Sequence, residues 1–434
     1  MIQMETVQTV EVYVPEWYLG RNLDEQGFCQ EFLLVYPLQY VDGQFFSRKG
    51  RMDEEVVRKY VYDYLCQFVH TGLGKKVNTL METLKMEARK NALAVSEILI
   101  YCQNGVYNVN DRCFQTDHDF CRYRLPVDFN PQAPEPVQWK AFLEELLEPE
   151  DILTLQEFMG YCLLPVNYAQ KMLLIIGKGG EGKSRIGIVM HHLLGQAMCS
   201  GSLAKVESSP FARADLQHRL LMVDDDLRLE ALGSTNHIKS IITAEQPMDL
   251  ERKGQQSYQG WLHCRFLAFG NGNLRSLHDR SLGFFRRQII LTTKDRRPGR
   301  VDDPYLAARL REELEGILQW CIEGLLRLLD RDMKFTLSRR TRENILCAIS
   351  EGNNVVEFMK SKGYFRLDPQ AETSTRQLYS RYQDWCEDNM LVPLSAKSFT
   401  MHLSQNAGQY RISYSNNIRF GDKAVRGFRG IRAC

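Results

Sequence analysis

No C-x-x-C pair occurs anywhere in this chain, although its 434 residues include 12 cysteines. Scattered thiols without paired spacing point to reduced cysteines in a cytosolic compartment rather than to a disulfide framework. No apolar run approaches the roughly 20 residues of a membrane span, so no membrane is expected as a partner. The start, MIQMETVQTV, lacks the apolar stretch of a signal peptide. There is no internal repeat and no long low-complexity tract. Net charge is almost absent: 55 Lys and Arg balance 54 Asp and Glu, leaving +1. No global field therefore pulls the chain onto nucleic acid, and any such surface must be local.

What is present is enough to fold. Apolar residues make up 44% and charged residues 25%, values of ordinary globular domains, and the length suggests about two to four of them.

The segment around which the rest is organised is KMLLIIGKGGEGKSRIGIVMHHLLG, residues 171–195. Met172 to Ile176 is short and apolar enough for a buried strand. Gly177, Lys178, Gly179, Gly180, Glu181, Gly182, Lys183 and Ser184 then fit G-x-x-x-x-G-K-[ST] at every fixed position. A helical pattern follows, with Ile186, Val189, Met190 and Leu193 apolar. Triphosphate oxygens must approach a backbone closely, and glycines clear the way and permit positive φ. Successive N–H groups and the following helix N-terminus would face the anion. In that reading Lys183 reaches the β- and γ-phosphates of ATP, and Ser184 holds Mg²⁺.

Other motifs follow in order. HRLLMVDDDL ends a buried-type strand in Asp224, Asp225 and Asp226. Acids at that place handle a metal and the attacking water. Asp224 is assigned to the metal and Asp225 to the water, with Asp226 able to replace either. FLAFGNGN brings Asn271 to the end of another apolar strand, where an amide can bond both phosphate and water; Asn273 is the alternative. In SLGFFRRQIILTT, Arg286 and Arg287 precede a strand. One of them, with Arg287 preferred, would serve as an arginine finger across a subunit boundary. Between the acids and Asn271, a helix to about Thr243 leads to a hairpin with Arg252, Lys253 and Gly254 near its tip. A basic hairpin does nothing for hydrolysis, but it suits gripping a nucleic-acid backbone.

Elsewhere the patterns are plainer. Residues 1–30 carry no clear signal, and 31–47 read as two strands about an Asp42-Gly43 turn. Helices are expected after Asp53 and over about 74–95, then a strand pair around Asn104-Gly105. Cys113, His118 and Cys121 do not have a standard zinc spacing and read as incidental. Pro126 to Pro136 reads as a linker, and 304–330 as one helix with Leu310, Leu314, Ile317, Cys321 and Leu325 on its buried face. From 373 two helices precede short strands. Residues 397–434 hold Lys397, Arg411, Arg419, Lys423, Arg426, Arg429 and Arg432 against Asp422 alone, which suggests a phosphate-backbone contact.

The ordered set GKGGEGKS, LLMVDD, QPMDLERK, FLAFGN and FFRR resembles superfamily 3 helicases, the ring-forming AAA+ motors of small viruses, phages and plasmids. NGVYNV, PVDFNPQAPEPVQWKAFLEELL and FMGYCLLP upstream, with LYSRYQDWCEDN and FRGI downstream, are similar to the phage and plasmid primase-helicase branch that includes the poxvirus primase-helicase. The resemblance covers roughly residues 98–434. It implies a homo-hexamer on single-stranded DNA, driven by ATP with Mg²⁺, moving 3′ to 5′ in the cytoplasm of a bacterial host. Lys183 and Ser184 match the family's phosphate and Mg²⁺ positions. Asp224 and Asp225 match its paired acids, Asn271 its polar sensor, Arg287 its trans-acting finger and Lys253 its hairpin lysine. Two residues depart from relatives: Asp225 stands where many have Glu, and Gly254 where some have His.

The expected architecture is therefore α/β. Residues 1–97 form an N-terminal α+β region and 98–165 a helical pre-helicase region. Residues 166–300 form an AAA+ P-loop parallel-sheet core, 301–370 a helical lid or linker, and 371–434 a winged-helix domain. With no D-x-D pair in residues 1–97, primer synthesis is assigned to a separate primase or polymerase. The alternative is an AAA+ initiator or loader that binds DNA without processive unwinding. A regulatory module that no longer hydrolyses ATP is opposed by the intact set of site residues.

Overall fold

The computed structural model describes residues 13–434 apart from 21, 94, 118, 228–233, 255, 272–281, 297, 298, 300–302, 353, 390, 392, 421 and 422. His118, Asn273 and Asp422 thus lie outside the described residues.

The N-terminal part begins with a two-stranded ribbon, β1 (Tyr18–Leu19) and β2 (Asn22–Leu23), followed by α1 (Glu25–Val35). A sheet of β3 (Gln39–Val41), β4 (Gln44–Ser47) and β5 (Gly50–Met52) comes next, then α2 (Glu54–Leu65) and α3 (Leu73–Glu87). The expected strand from residue 31 is instead helical. Asp24 caps the helix by accepting from the Gly27 N–H at 3.1 Å, and Phe28, Cys29 and Phe32 enter the core with Trp17, Val57, Val61 and Leu80. EFLLV fits either period; the cap upstream decides it. The Asp42-Gly43 turn holds as read, with φ of 51° and 76° at its two residues, the signs a tight hairpin needs.

A meander of β6 (Leu99–Cys102), β7 (Gly105–Asn108) and β8 (Cys113–Gln115) leads to α4 (Val137–Leu146) and α5 (Pro149–Tyr161). Then comes the central unit: β9 (Met172–Gly177), α6 (Ser184–Leu194), β10 (Met198–Ser200), α7 (Leu203–Ser208), α8 (Pro210–Ala214), β11 (Leu221–Asp224), α9 (Asn236–Thr243), β12 (Met248–Leu250), β13 (Tyr258–Gly260), β14 (Arg265–Asn271), α10 (Leu282–Phe285) and β15 (Gln288–Thr292). Five of these strands pair in parallel in the order β10-β11-β14-β9-β15. Alternate residues feed opposite faces. Leu173, Ile175, Leu267 and Phe269 pack with α6 on one side; Leu174, Ile176, Phe266 and Ala268 pack with α9 on the other. Both faces are covered, as a parallel sheet requires. β12 and β13 form a separate antiparallel hairpin between β11 and β14 in sequence.

Beyond the sheet lie α11 (Leu306–Glu312), α12 (Leu314–Leu329), α13 (Arg339–Gly352) and α14 (Asn354–Phe358). The single helix expected over 304–330 is broken at Glu313. That carboxylate accepts from the N–H groups of Gln138 at 3.0 Å and Trp139 at 2.9 Å, so the break lets it cap α4. The proline segment before α4 is packed rather than loose: a Cβ on Gly316 would come within 2.3 Å of the Pro134 carbonyl. α5 and α12 likewise touch backbone to backbone, since a Cβ on Gly160 would meet the Cys321 carbonyl at 2.2 Å.

The C-terminal part adds β16 (Phe365–Ser374), α15 (Thr375–Asp388), α16 (Ala396–Gln405), β17 (Ser413–Phe420) and β18 (Lys423–Ala433), with β18 central in its sheet. Phe358, Tyr382, Phe399 and Phe428 share its core. Two of the basic residues are neutralised from β16: Arg429 pairs with Glu372 at 2.8 Å and Arg432 with Asp368 at 3.2 Å. Arg411 and Arg426 are exposed. Among the described residues, no helix is long and apolar enough to cross a membrane.

The N-terminal sheet meets the central unit at His218, which is 5% exposed. Arg122 bridges the two, donating to Asp42 at 2.7 Å and to His218 Nδ1 at 3.2 Å. Burial, then the facing Arg122, Arg252, Arg51 and Arg219, push the imidazole down to about 3. An unfolded histidine titrates near 6.5. Between those values the unfolded chain takes up a proton that the folded chain refuses. Stability is therefore full above about 6.5 and falls as the pH drops toward 3. Urea midpoints at pH 7 and pH 5 should differ less in His218→Gln than in the parent; an equal difference would contradict the assignment.

Candidate functional site

Apolar β9 runs to the surface and stops at a loop that only glycine-rich sequence can trace. Gly179, Gly180 and Gly182 have φ of 109°, 81° and 97°, a region costly for residues bearing a Cβ. Gly177 has no room for one: it would sit 2.6 Å from Thr293 Oγ1 and 2.8 Å from Lys183 Nζ. Lys183 is buried, and its ammonium donates to Glu181 Oε2 at 2.8 Å and to Asn271 Oδ1 at 3.0 Å. The other Glu181 oxygen accepts from the Lys178 N–H at 2.5 Å and the Gly179 N–H at 2.8 Å. Loop amides and an ammonium thus converge on one carboxylate, and an anion already occupies the cradle. Burial pushes the Glu181 carboxyl up, but Lys183 and the loop N–H groups outweigh it and hold it below the usual value. Lys178 instead points outward, to Asp295 at 2.8 Å.

Beside the loop lies a cavity of about 420 Å³ whose lining includes Gly180, Gly182, Lys183, Ser184, Asp225 and Asn271. Sheet topology accounts for the convergence. β11, β14 and β9 are neighbours with parallel carboxyl ends, and Asn271 is paired directly with Gly177. The three acids part company here. Asp225 lines the cavity and is exposed. Asp224 is buried, and its Oδ2 accepts from the Leu203 N–H at the start of α7 at 2.8 Å; burial raises its carboxyl. Asp226 is exposed. The sequence reading missed Asp303, which also lines the cavity and is held by Arg309 and the Tyr305 N–H. It arrives from the segment just before α11, far along the chain and without a local motif.

Arg287 lies at the other end of the sheet. Its carbonyl accepts from the Met172 N–H at 2.8 Å, so the whole of β9, about 20 Å of strand, separates it from the glycine loop of its own chain. Arg287 is half-buried, with Nη1 donating to the Gly283 carbonyl at 2.5 Å and a buried Nε that has no acceptor among the described residues. Arg286 is exposed.

The hairpin forms as read, with Leu250 opposite Tyr258 and Gly254 in the left-handed region at φ 74°. Its two basic residues diverge. Lys253 is exposed. Arg252 turns back onto the N-terminal sheet, donating to the Asp42 carbonyl at 3.1 Å and to Gln217 at 2.7 Å, with its guanidinium 5.7 Å from the Tyr258 ring centre.

Two families match separate stretches of the chain. One, described as D5 N terminal like, matches residues 71–148. The other, a family of unknown function (DUF5906), matches residues 175–287, from within β9 to Arg287. Among solved structures, the apo structure of the NrS-1 C terminal region is similar with a TM-score of 0.51 at 10% identity, covering 94% of this chain and 99% of that one. The A form apo structure of the same region has a TM-score of 0.50 at 10% identity, covering 90% and 88%. The chain is thus similar in fold to the NrS-1 C terminal region over most of both lengths.

Proposed function

We propose that this chain is an ATP-hydrolysing DNA helicase of a phage or mobile element, working as a homo-hexameric AAA+ ring that moves 3′ to 5′ on single-stranded DNA. The observation that carries the reading is the meeting of Lys183, Ser184, Asp225 and Asn271 in one cavity at the carboxyl ends of β9, β11 and β14. Such ends are where parallel sheets receive nucleotides. The near-full-length likeness in fold to the NrS-1 C terminal region agrees with it.

The donor set fits a triphosphate, because a carboxylate is already received by the same N–H groups and ammonium that phosphate oxygens would use. On ATP binding Glu181 gives up the cradle, and Lys183 transfers the hydrogen bond it gave Glu181 to a phosphate oxygen. Asn271 fixes the ammonium and offers its amide to the γ-phosphate. Asp225 orients the water and takes its proton. Ser184 with Asp224 would hold Mg²⁺, which when bound neutralises charge on the phosphates. Arg287 reaches the pocket of the neighbouring subunit, consistent with its distance from its own. The C-terminal helices and sheet serve as a winged-helix DNA-binding domain, and primer synthesis falls to a separate protein.

A forked DNA substrate with a labelled strand tests the reading. ATP-dependent release of that strand is expected. DNA-stimulated phosphate release without displacement would mean a loader, and no phosphate release would remove the nucleotide reading altogether. Lys253→Ala should abolish most of the DNA stimulation and lower the salt slope of DNA binding by about one. Unchanged unwinding by that variant would refute the hairpin's role.

A further inference from the structure

A second cavity, of about 840 Å³, lies between the β3–β5 sheet, the α7–α8 segment and Arg252 at the hairpin. It contains no glycine-loop residue. Its charged lining is Arg51, Lys205, Arg219, Arg252 and the lone acid Asp215. Among the described residues, none of these four cations makes an ion pair. Neutral groups hold the guanidiniums instead. Arg51 donates to the Gln196 side chain at 3.0 Å, Arg219 to the carbonyls of Gln196 and Met198, and Arg252 to Asp42 O and Gln217. Among the described residues, Arg51 Nε and Arg219 Nε are buried without an acceptor.

His218 lines the same cavity. A guanidinium can only donate, so Arg122 fixes Nδ1 as the acceptor and leaves the proton on Nε2. That Nε2–H is buried without an acceptor among the described residues, in a residue 5% exposed. The ring also borders a void of about 60 Å³ lined by Lys49, Arg51, Arg122 and Arg124, with no acid. Like charges gathered half-buried around an unsatisfied buried donor are costly unless an anion completes the set.

We propose that this cavity binds a phosphate group, with Arg51, Arg219 and Arg252 taking its oxygens, His218 Nε2–H donating to it and Lys205 at the rim. The phosphate belongs either to a free diphosphate-bearing molecule or to the backbone of a bound strand. The size suits a small ligand, and guanidinium forks suit phosphate oxygens.

The test uses the full chain carrying Lys183→Ala, which silences the glycine loop, titrated with inorganic pyrophosphate by calorimetry. Saturable binding is expected. Arg51→Gln should weaken it about tenfold. Lys205→Ala, at an exposed position, should weaken it about threefold. Absence of binding, or binding that both substitutions leave unchanged, would overturn the proposal. Displacement of pyrophosphate by oligothymidylate would assign the phosphate to a strand; retention would assign it to the free molecule. No hydrolysis is read, so failure here leaves the helicase reading standing, and failure of unwinding leaves this site standing.

Discussion

Lys183→Ala should lower ATP hydrolysis by at least about a hundredfold and abolish strand displacement. The ammonium is buried at the loop, held between Glu181 and Asn271. Removing a preorganised donor from a transferring phosphoryl group costs about 10²–10³ in rate. The substitution also strips a buried carboxylate of its partner ion, so the loop itself is expected to loosen. Arg or Gln at the position should not rescue it, because neither puts a point charge at the same depth. Phosphate release at the parent rate from Lys183→Ala would remove the phosphate assignment.

The second large effect is expected at Arg287. If it completes the neighbouring pocket, Arg287→Ala should reduce hydrolysis about a thousandfold or more while leaving nucleotide affinity nearly intact. Arg286→Ala, at the exposed position beside it, should cost far less. The lowered guanidinium value of Arg287, from burial and then from Arg286, leaves it fully charged at neutral pH. Loss of ATP binding in Arg287→Ala, or an equal loss in Arg286→Ala, would move the finger elsewhere.

How much of this was legible in the sequence depends on whether the determinant was local. The strand, glycine loop and helix around Lys183 follow from contiguous apolar and glycine spacing. The parallel sheet follows from the alternation of such units. The hairpin around Gly254 was readable for the same reason. Glu181 was read only as a variable position of the loop; that its carboxylate fills the cradle depends on backbone N–H directions that residue order does not encode. Asp224 and Asp225 look equivalent in a run of three acids. The pleat separates them, sending one to the Leu203 N–H and the other to the cavity. Arg252 and Lys253 part for a similar reason, because the Asp42-Gly43 turn that receives Arg252 lies some 200 residues away in sequence. The break at Glu313 was likewise decided by a distant partner, α4, whereas the helix at Glu25–Val35 turned on the local Asp24 cap. At Asp224, Arg252 and Glu313 a long-range hydrogen bond, and not local propensity, set the outcome.

The account's central claim is that one subunit supplies Lys183 and its neighbour supplies Arg287 to a shared pocket. Mixing the two inactive variants, Lys183→Ala and Arg287→Ala, tests it most directly. Random assembly of a ring would leave roughly a quarter of the interfaces with both residues intact, so phosphate release should recover well above either variant alone. A mixture no more active than the sum of its parts, at concentrations where the variants demonstrably co-assemble, would contradict it.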